Sequence, residues 1–163
     1  MRVNHEFGPY INKDSRVLIL GSIPSLKSRE YGFYYMHKQN RFWKVISDIF
    51  GNKFPDSLDD KKEFLRKNKI ALWDVLESCD IEGSSDSSIK NPKVNDIKSL
   101  ILDTDIKYIF VTGKKALDLY NKYCFKSVGI EAIYLPSTSG ANARLSFNDL
   151  KEKYEIIIKC MKK

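Results

Sequence analysis

The sequence predicts an α/β protein with a three-layer α/β/α arrangement around a central four-stranded parallel sheet. Three observations carry this. Four apolar runs of strand length (residues 17–20, 70–76, 108–111 and 130–135) are nearly continuous, as in strands covered on both faces. Segments with helical spacing of apolar residues lie between them, the alternation from which parallel sheets with right-handed crossovers are built. Each run ends in small or polar residues, so segments 21–25, 73–75, 112–115 and 136–142 should meet along one edge of the sheet. Loops leaving the carboxyl ends of strands line the ligand crevice in such folds.

At 163 residues the chain is expected to form one domain, long enough to bury a full core. Residues 1–16 are polar with isolated aromatics, and Gly8-Pro9 punctuates them, so they read as an irregular lead-in. After the first strand comes Gly21-Ser-Ile-Pro-Ser25, then the aromatic-rich loop Tyr31-Gly-Phe-Tyr-Tyr35. Phe42, Val45, Ile46, Ile49 and Phe50 mark a helix over 41–50 that Gly51 stops, with Asn40 at the N-cap. Ser57 opens a charged surface helix to about residue 68. The stretch 82–88 is a polar loop, the segment expected to be most mobile. Val94, Ile97, Leu100 and Ile101 mark a helix, and another follows Thr112-Gly113 with Ala116, Leu117 and Tyr120 on one face. Ser146 with Asp149 has the form of a helix start, and apolar spacing continues from Leu150 to Met161.

The formal net charge is +7 and suits a polyanionic partner, although it is a weak signal alone. No run approaches the roughly 20 apolar residues of a membrane span. The start of the chain lacks a signal peptide's apolar stretch, so a cytoplasmic protein without membrane attachment is expected. Cys79, Cys124 and Cys160 are far apart, and the histidines are His5 and His37. No metal-ligand spacing exists, and buried reduced cysteines are the expectation. Neither a GxSxG elbow nor a GxGxxG turn is present.

Several residues carry candidate chemistry. The Asn40 carboxamide offers donor and acceptor, so it can orient a water or pair with a base edge, yet spacing alone favours a helix cap. Tyr31, Phe33, Tyr34 and Tyr35 offer rings on which bases stack, with at least one needed to pack over the sheet. The small polar stretch 136–144 suits phosphate oxygens, with Arg144 adding charge, or is an ordinary connection. Thr112-Gly-Lys-Lys115 reads as a solvated helix start. Asp74 is a carboxylate at the crevice or a turn cap, and a lone His37 is more often simply exposed.

Taken together, Gly21-Ser-Ile-Pro-Ser25, Ser28-Arg-Glu-Tyr-Gly-Phe-Tyr-Tyr35, Asn40-Arg-Phe-Trp-Lys44, Leu72-Trp-Asp-Val75 and Leu135-Pro-Ser-Thr-Ser139 give the chain a family resemblance over nearly its whole length. It resembles the uracil-DNA glycosylase superfamily, and within it the hypoxanthine-DNA (deoxyinosine) glycosylase branch. The resemblance implies flipping of a deaminated nucleotide in double-stranded DNA and hydrolysis of its N-glycosidic bond, by a monomer without metal or cofactor. The first superfamily motif matches Gly21, Ser22, Ile23, Pro24 and Ser25. Ile23 stands where the mismatch-specific uracil/thymine branch has a water-positioning asparagine. The resemblance therefore places the catalytic asparagine at Asn40. It implies a base pocket from Gly21 to Pro24 with Phe33, Tyr34 and Tyr35, and DNA contacts by Ser25. The second motif matches 135–144, implying DNA contacts by Ser137, Thr138, Ser139, Gly140, Asn142 and Arg144, with no large wedge at the tip. Hypoxanthine and uracil present the same carbonyl and N–H pair, so uracil stays open as the base. A nucleic-acid-binding domain without catalysis is the non-enzymatic alternative.

Overall fold

The computed structural model describes residues 1–5, 7–83 and 85–163, so expectations for Glu6 in the lead-in and Ser84 in the polar loop lie outside the described residues. The elements in chain order are β1 (Arg2–Asn4), β2 (Val17–Gly21), α1 (Leu26–Tyr31), α2 (Phe42–Ile49), α3 (Leu58–Asn68), β3 (Ile70–Asp74), β4 (Leu76–Asp80) and a 3-10 turn (Asp86–Ser88). They continue with β5 (Lys90–Val94), α4 (Ile97–Ile101), β6 (Tyr108–Thr112), α5 (Lys114–Tyr123), α6 (Phe125–Val128), β7 (Ala132–Leu135), α7 (Phe147–Tyr154) and α8 (Ile156–Met161).

The central sheet is four-stranded and parallel, in the order β3-β2-β6-β7. All five residues of β2 are buried, which is why its sequence does not alternate. Val17 and Ile19 face a core shared with α2, α3, α7 and α8, through Phe42, Ile46, Leu65, Leu150, Tyr154 and Ile157. Leu18 and Leu20 face the other side, against Ala116, Leu119 and Tyr120 of α5 and Ile97 of α4. Three layers result, as expected. Cys79, Cys124 and Cys160 are buried and unpaired.

The outer layer on the α5 side departs from expectation, because it includes a three-stranded antiparallel sheet, β1-β4-β5. Its strands come from stretches read otherwise. The supposedly irregular lead-in contains β1, paired with β4 through Val3 and Cys79. The run 70–76 is not one strand. It leaves the parallel sheet at Asp74, where Val75 N–H donates to Gly21 O (2.8 Å) and Leu76 N–H to Ser22 O (3.1 Å), and re-forms as β4. Val94 ends β5 rather than starting a helix, and α4 begins at Ile97 behind an Asp96 cap. The aromatic loop begins as a short helix, α1, capped by Ser25. The final helical stretch is interrupted at Glu155, although Glu155 N still donates to Lys151 O (3.1 Å). Ser57 and Ser146 cap as read, the latter in a complete capping box with Asp149.

The chain runs from β2 outward to β3 in one direction and, after the small sheet, to β6 and β7 in the other. The reversal falls between β2 and β6, where such folds open a crevice.

Candidate active site

A cleft of about 1210 Å³ opens at the carboxyl ends of the parallel strands. It exceeds the roughly 300–1,000 Å³ of a small-molecule site, as a surface that admits part of a polymer would. Gly21 and Thr112 end the two strands at the switch point, Asp74 ends the neighbouring one, and loops 22–28, 34–40 and 137–144 form the walls.

Asn40 sits on one wall, half-buried, and its contacts define its role. Its Oδ1 accepts from Phe42 N–H (2.9 Å), the first residue of α2, although Arg41 rather than Asn40 is the N-cap of that helix. The same oxygen accepts from the Thr138 hydroxyl (2.7 Å). A backbone N–H can only donate, so the oxygen, not the nitrogen, must face Phe42. Both lone pairs of Oδ1 are taken, and Nδ2 is left for the cleft. Support of the helix start and function coexist because each uses a different end of the amide.

Asn40 is also locked through its neighbours. Arg41 N–H donates to Thr138 O (3.0 Å), and the Arg41 guanidinium reaches Leu145 O (2.6 Å) and Asn142 O (2.9 Å). One arginine thereby staples the 136–145 loop to the start of α2. Trp43 Nε1 donates to Tyr34 O (3.0 Å), fixing the aromatic loop to the same helix. Arg41 and Thr138 are thus structural supports of Asn40. Thr138 is 1% exposed, so its side chain turns inward rather than toward DNA.

The aromatic run divides. Phe33 does not line the cleft; it is buried in the core and stacked on Trp43. Tyr34 borders the cleft but is 2% exposed, with its hydroxyl spent on Gly8 O (2.9 Å). Tyr31 is exposed and stands away from the lining. Tyr35 is the ring placed at the site. Its backbone has φ +57°, a left-handed conformation that is a genuine outlier for a bulky residue. The ring stacks on Phe42 with centroids 3.9 Å apart. Its hydroxyl is buried with no hydrogen-bond partner among the described residues. Burial and the nearby Asp74 charge push that phenol far above its ordinary range against a weaker opposing pull from the Thr112 hydroxyl, so it stays neutral.

Gly21 shows why the floor needs glycine. A Cβ there would stand 2.6 Å from Asp74 Oδ1 and 3.7 Å from both Thr112 Oγ1 and Tyr35 Oη. Asp74 is buried, and its Oδ2 is 2.8 Å from Nε2 of the equally buried His5. His5 comes from the lead-in just after β1, and it escapes a sequence reading because nothing local links it to Asp74, 69 positions away. Tyr10 pairs with Leu72 along the edge of β3, which holds that lead-in in place.

Ser22, Ile23, Pro24 and Ser25 line the cleft, with Ser25 also capping α1 through Ser28 N–H (3.2 Å). Ser22 donates to Asp86 Oδ1 (2.7 Å), bringing the polar hairpin turn to the rim. Asp86 is open to water at its tip, yet crowding by the rim raises its carboxyl above the ordinary value. The Asp74 charge adds to this, while Ser22 and Lys115 oppose it. On the opposite side Ser137, Ser139, Gly140, Asn142 and Arg144 line the cleft. Gly140 packs on Gln39, where a Cβ would be 3.0 Å from the Gln39 Cβ. The Asn142 amide is spent inside the loop on Ser137 O (2.9 Å), and Arg144 is exposed. His37 is exposed at the rim. Among the described residues no group of three His, Cys, Asp or Glu is placed to hold a metal ion.

The family model of the uracil DNA glycosylase superfamily matches residues 9–159. The chain belongs to the uracil DNA glycosylase superfamily. Its similar relatives include a protein of Methanosarcina acetivorans named hypoxanthine DNA glycosylase, 34% identical over 90% of this chain and 92% of the relative. A Methanosarcina barkeri protein of the same name is also 34% identical, over 85% and 87% respectively. A solution NMR structure from Methanosarcina acetivorans, described as a uracil DNA glycosylase, covers both chains fully at 31% identity with a TM-score of 0.84. In this superfamily member, residues 21–25 and 137–144 both line the cleft, and Asn40 ties the second of these stretches to the start of α2.

Proposed function

We propose that this protein is a monofunctional DNA glycosylase that flips a deaminated base out of duplex DNA and hydrolyses its N-glycosidic bond, with hypoxanthine as the main substrate. The observation that carries this is the state of Asn40: the residue lines the cleft and its oxygen is saturated by Phe42 and Thr138, which leaves Nδ2 as the end of the amide that can serve a ligand. Superfamily membership and two relatives named for hypoxanthine support the reaction and the base.

The bond to be broken joins C1′ of deoxyribose to a ring nitrogen. As it stretches, positive charge grows on the sugar and negative charge on the base. A fixed donor aimed at the departing base stabilises that charge without reorganisation. Asn40 Nδ2 is such a donor, braced by the two contacts to its oxygen. Its oxygen has no lone pair left, so Asn40 does not take a proton from water. Water adds its oxygen to C1′, the electron pair of the broken bond leaves with the base, and the water's proton passes to the base or to solvent. Phosphates of the DNA favour the sugar cation electrostatically. Ser137, Ser139, Gly140 and Arg144 at the rim are the proposed phosphate contacts, acting as a monomer.

Single-turnover incubation with duplexes containing hypoxanthine, uracil, xanthine or a thymine mismatch tests this. Abasic product from hypoxanthine is expected. Binding of all four without abasic product from any would overturn the enzyme reading in favour of a binding domain.

A further inference from the structure

The floor of the cleft holds two buried polar groups that the catalytic reading leaves unused. One is Asp74 Oδ1, whose partner oxygen is tied to His5 Nε2 at 2.8 Å. The other is the Tyr35 hydroxyl, which has no partner among the described residues. Both stand around the same point, the missing Cβ of Gly21. A buried donor left unpaired costs stability, and Tyr35 is held there by a strained backbone. Such a group makes sense when a ligand supplies its acceptor.

We propose that Asp74 and Tyr35 together read the lactam edge of the flipped base, Asp74 Oδ1 accepting the ring N–H and the Tyr35 hydroxyl donating to the adjacent carbonyl. The assignment rests on the glycosylase reading above and deepens it. It follows from counting donors and acceptors. Asn40 can only donate, so it cannot accept the base's ring N–H. A carboxylate can only accept, and His5 occupies the other oxygen. Deamination of adenine turns the ring nitrogen from acceptor into N–H and the amino group into a carbonyl. The Asp74 acceptor therefore matches hypoxanthine and opposes adenine at the ring nitrogen, while the Tyr35 hydroxyl, which can donate or accept, serves the hypoxanthine carbonyl as a donor. A free carboxamide could rotate to suit either. His5 is a positioning residue: it fixes which Asp74 oxygen faces the base. Asn95 Nδ2, donating to the Asp74 main-chain oxygen (2.9 Å), holds the backbone below.

Single-turnover kinetics on duplexes with hypoxanthine, adenine and N1-methylhypoxanthine test the assignment in the full chain. Wild type should cleave hypoxanthine and discriminate against both others. Tyr35→Phe should lose about tenfold or more on hypoxanthine, the weight of one buried hydrogen bond in the complex. Its melting temperature should be unchanged or higher, because the hydroxyl has no partner to lose. Asp74→Asn should narrow the preference for hypoxanthine over adenine. His5→Gln, which keeps a donor for Asp74, should retain more of that preference than His5→Leu. Wild-type rates and selectivity in both Asp74→Asn and Tyr35→Phe would overturn the proposal while leaving the glycosylase intact. No base release by wild type would remove both readings.

Discussion

At the scale of single residues, the site depends on one amide held by two donors. Asn40→Ala should leave the fold intact and abolish base release, measured by single-turnover cleavage with circular dichroism as the control. Thr138→Val keeps the shape but removes one of the two hydrogen bonds to Oδ1. The amide then loses orientation, and the rate should fall by roughly 10–100-fold with DNA affinity little changed. Asp86 carries a rim carboxyl raised by crowding and by Asp74. Being raised, it loses its charge at a higher pH than ordinary carboxylates do. Repulsion of DNA should therefore ease as pH falls through that raised value. Asp86→Asn should bind DNA a few-fold more tightly at neutral pH and lack that part of the acid-side gain, read by fluorescence anisotropy.

At the scale of elements, Arg41 is the joint between the start of α2 and the 136–145 loop. Arg41→Ala should loosen the 136–145 loop and lower both cleavage rate and DNA affinity, whereas a loop acting independently of Asn40 would lower affinity alone. Most elements were legible in the sequence because their signals are local. Strand β2 is an unbroken apolar run, and α2 has regular apolar spacing. The antiparallel sheet was not legible. Strand β1 is three residues long, and β5 (Lys-Asn-Pro-Lys-Val) is polar, with a proline that only an edge strand tolerates. The break at Asp74 is hidden inside an apolar run because Val75 and Leu76 are buried on both sides of the turn. The same limit applies to the site. Asn40, Tyr35 and the 136–144 loop could be named from motifs, but Phe33 and Thr138 point inward, and His5 and Asp74 stand 69 positions apart. Which face a loop side chain takes is decided by packing, not by spacing.

At the scale of the whole molecule, the parallel sheet supplies a rigid floor and its switch point supplies the cleft. Leu20 shows how tightly the two are linked, since it is fully buried one residue before Gly21. Leu20→Ala should cost about 3 kcal/mol in a denaturation titration and loosen the floor with it. The net charge of +7 gives a DNA-binding protein its salt dependence. Log affinity for duplex DNA should fall linearly with log salt, with a slope near −0.9 for each phosphate contacted; a flat response would deny phosphate contacts. The central claim is that Asn40 Nδ2, held by Thr138 and Phe42, drives excision of hypoxanthine. The most direct measurement is single-turnover release of hypoxanthine from duplex DNA by wild type and Asn40→Ala side by side, with DNA affinity recorded for both. Wild type should release the base, and Asn40→Ala should bind comparably but release it at least about 100-fold more slowly. Equal rates in the two proteins, or no release by wild type, would contradict the account.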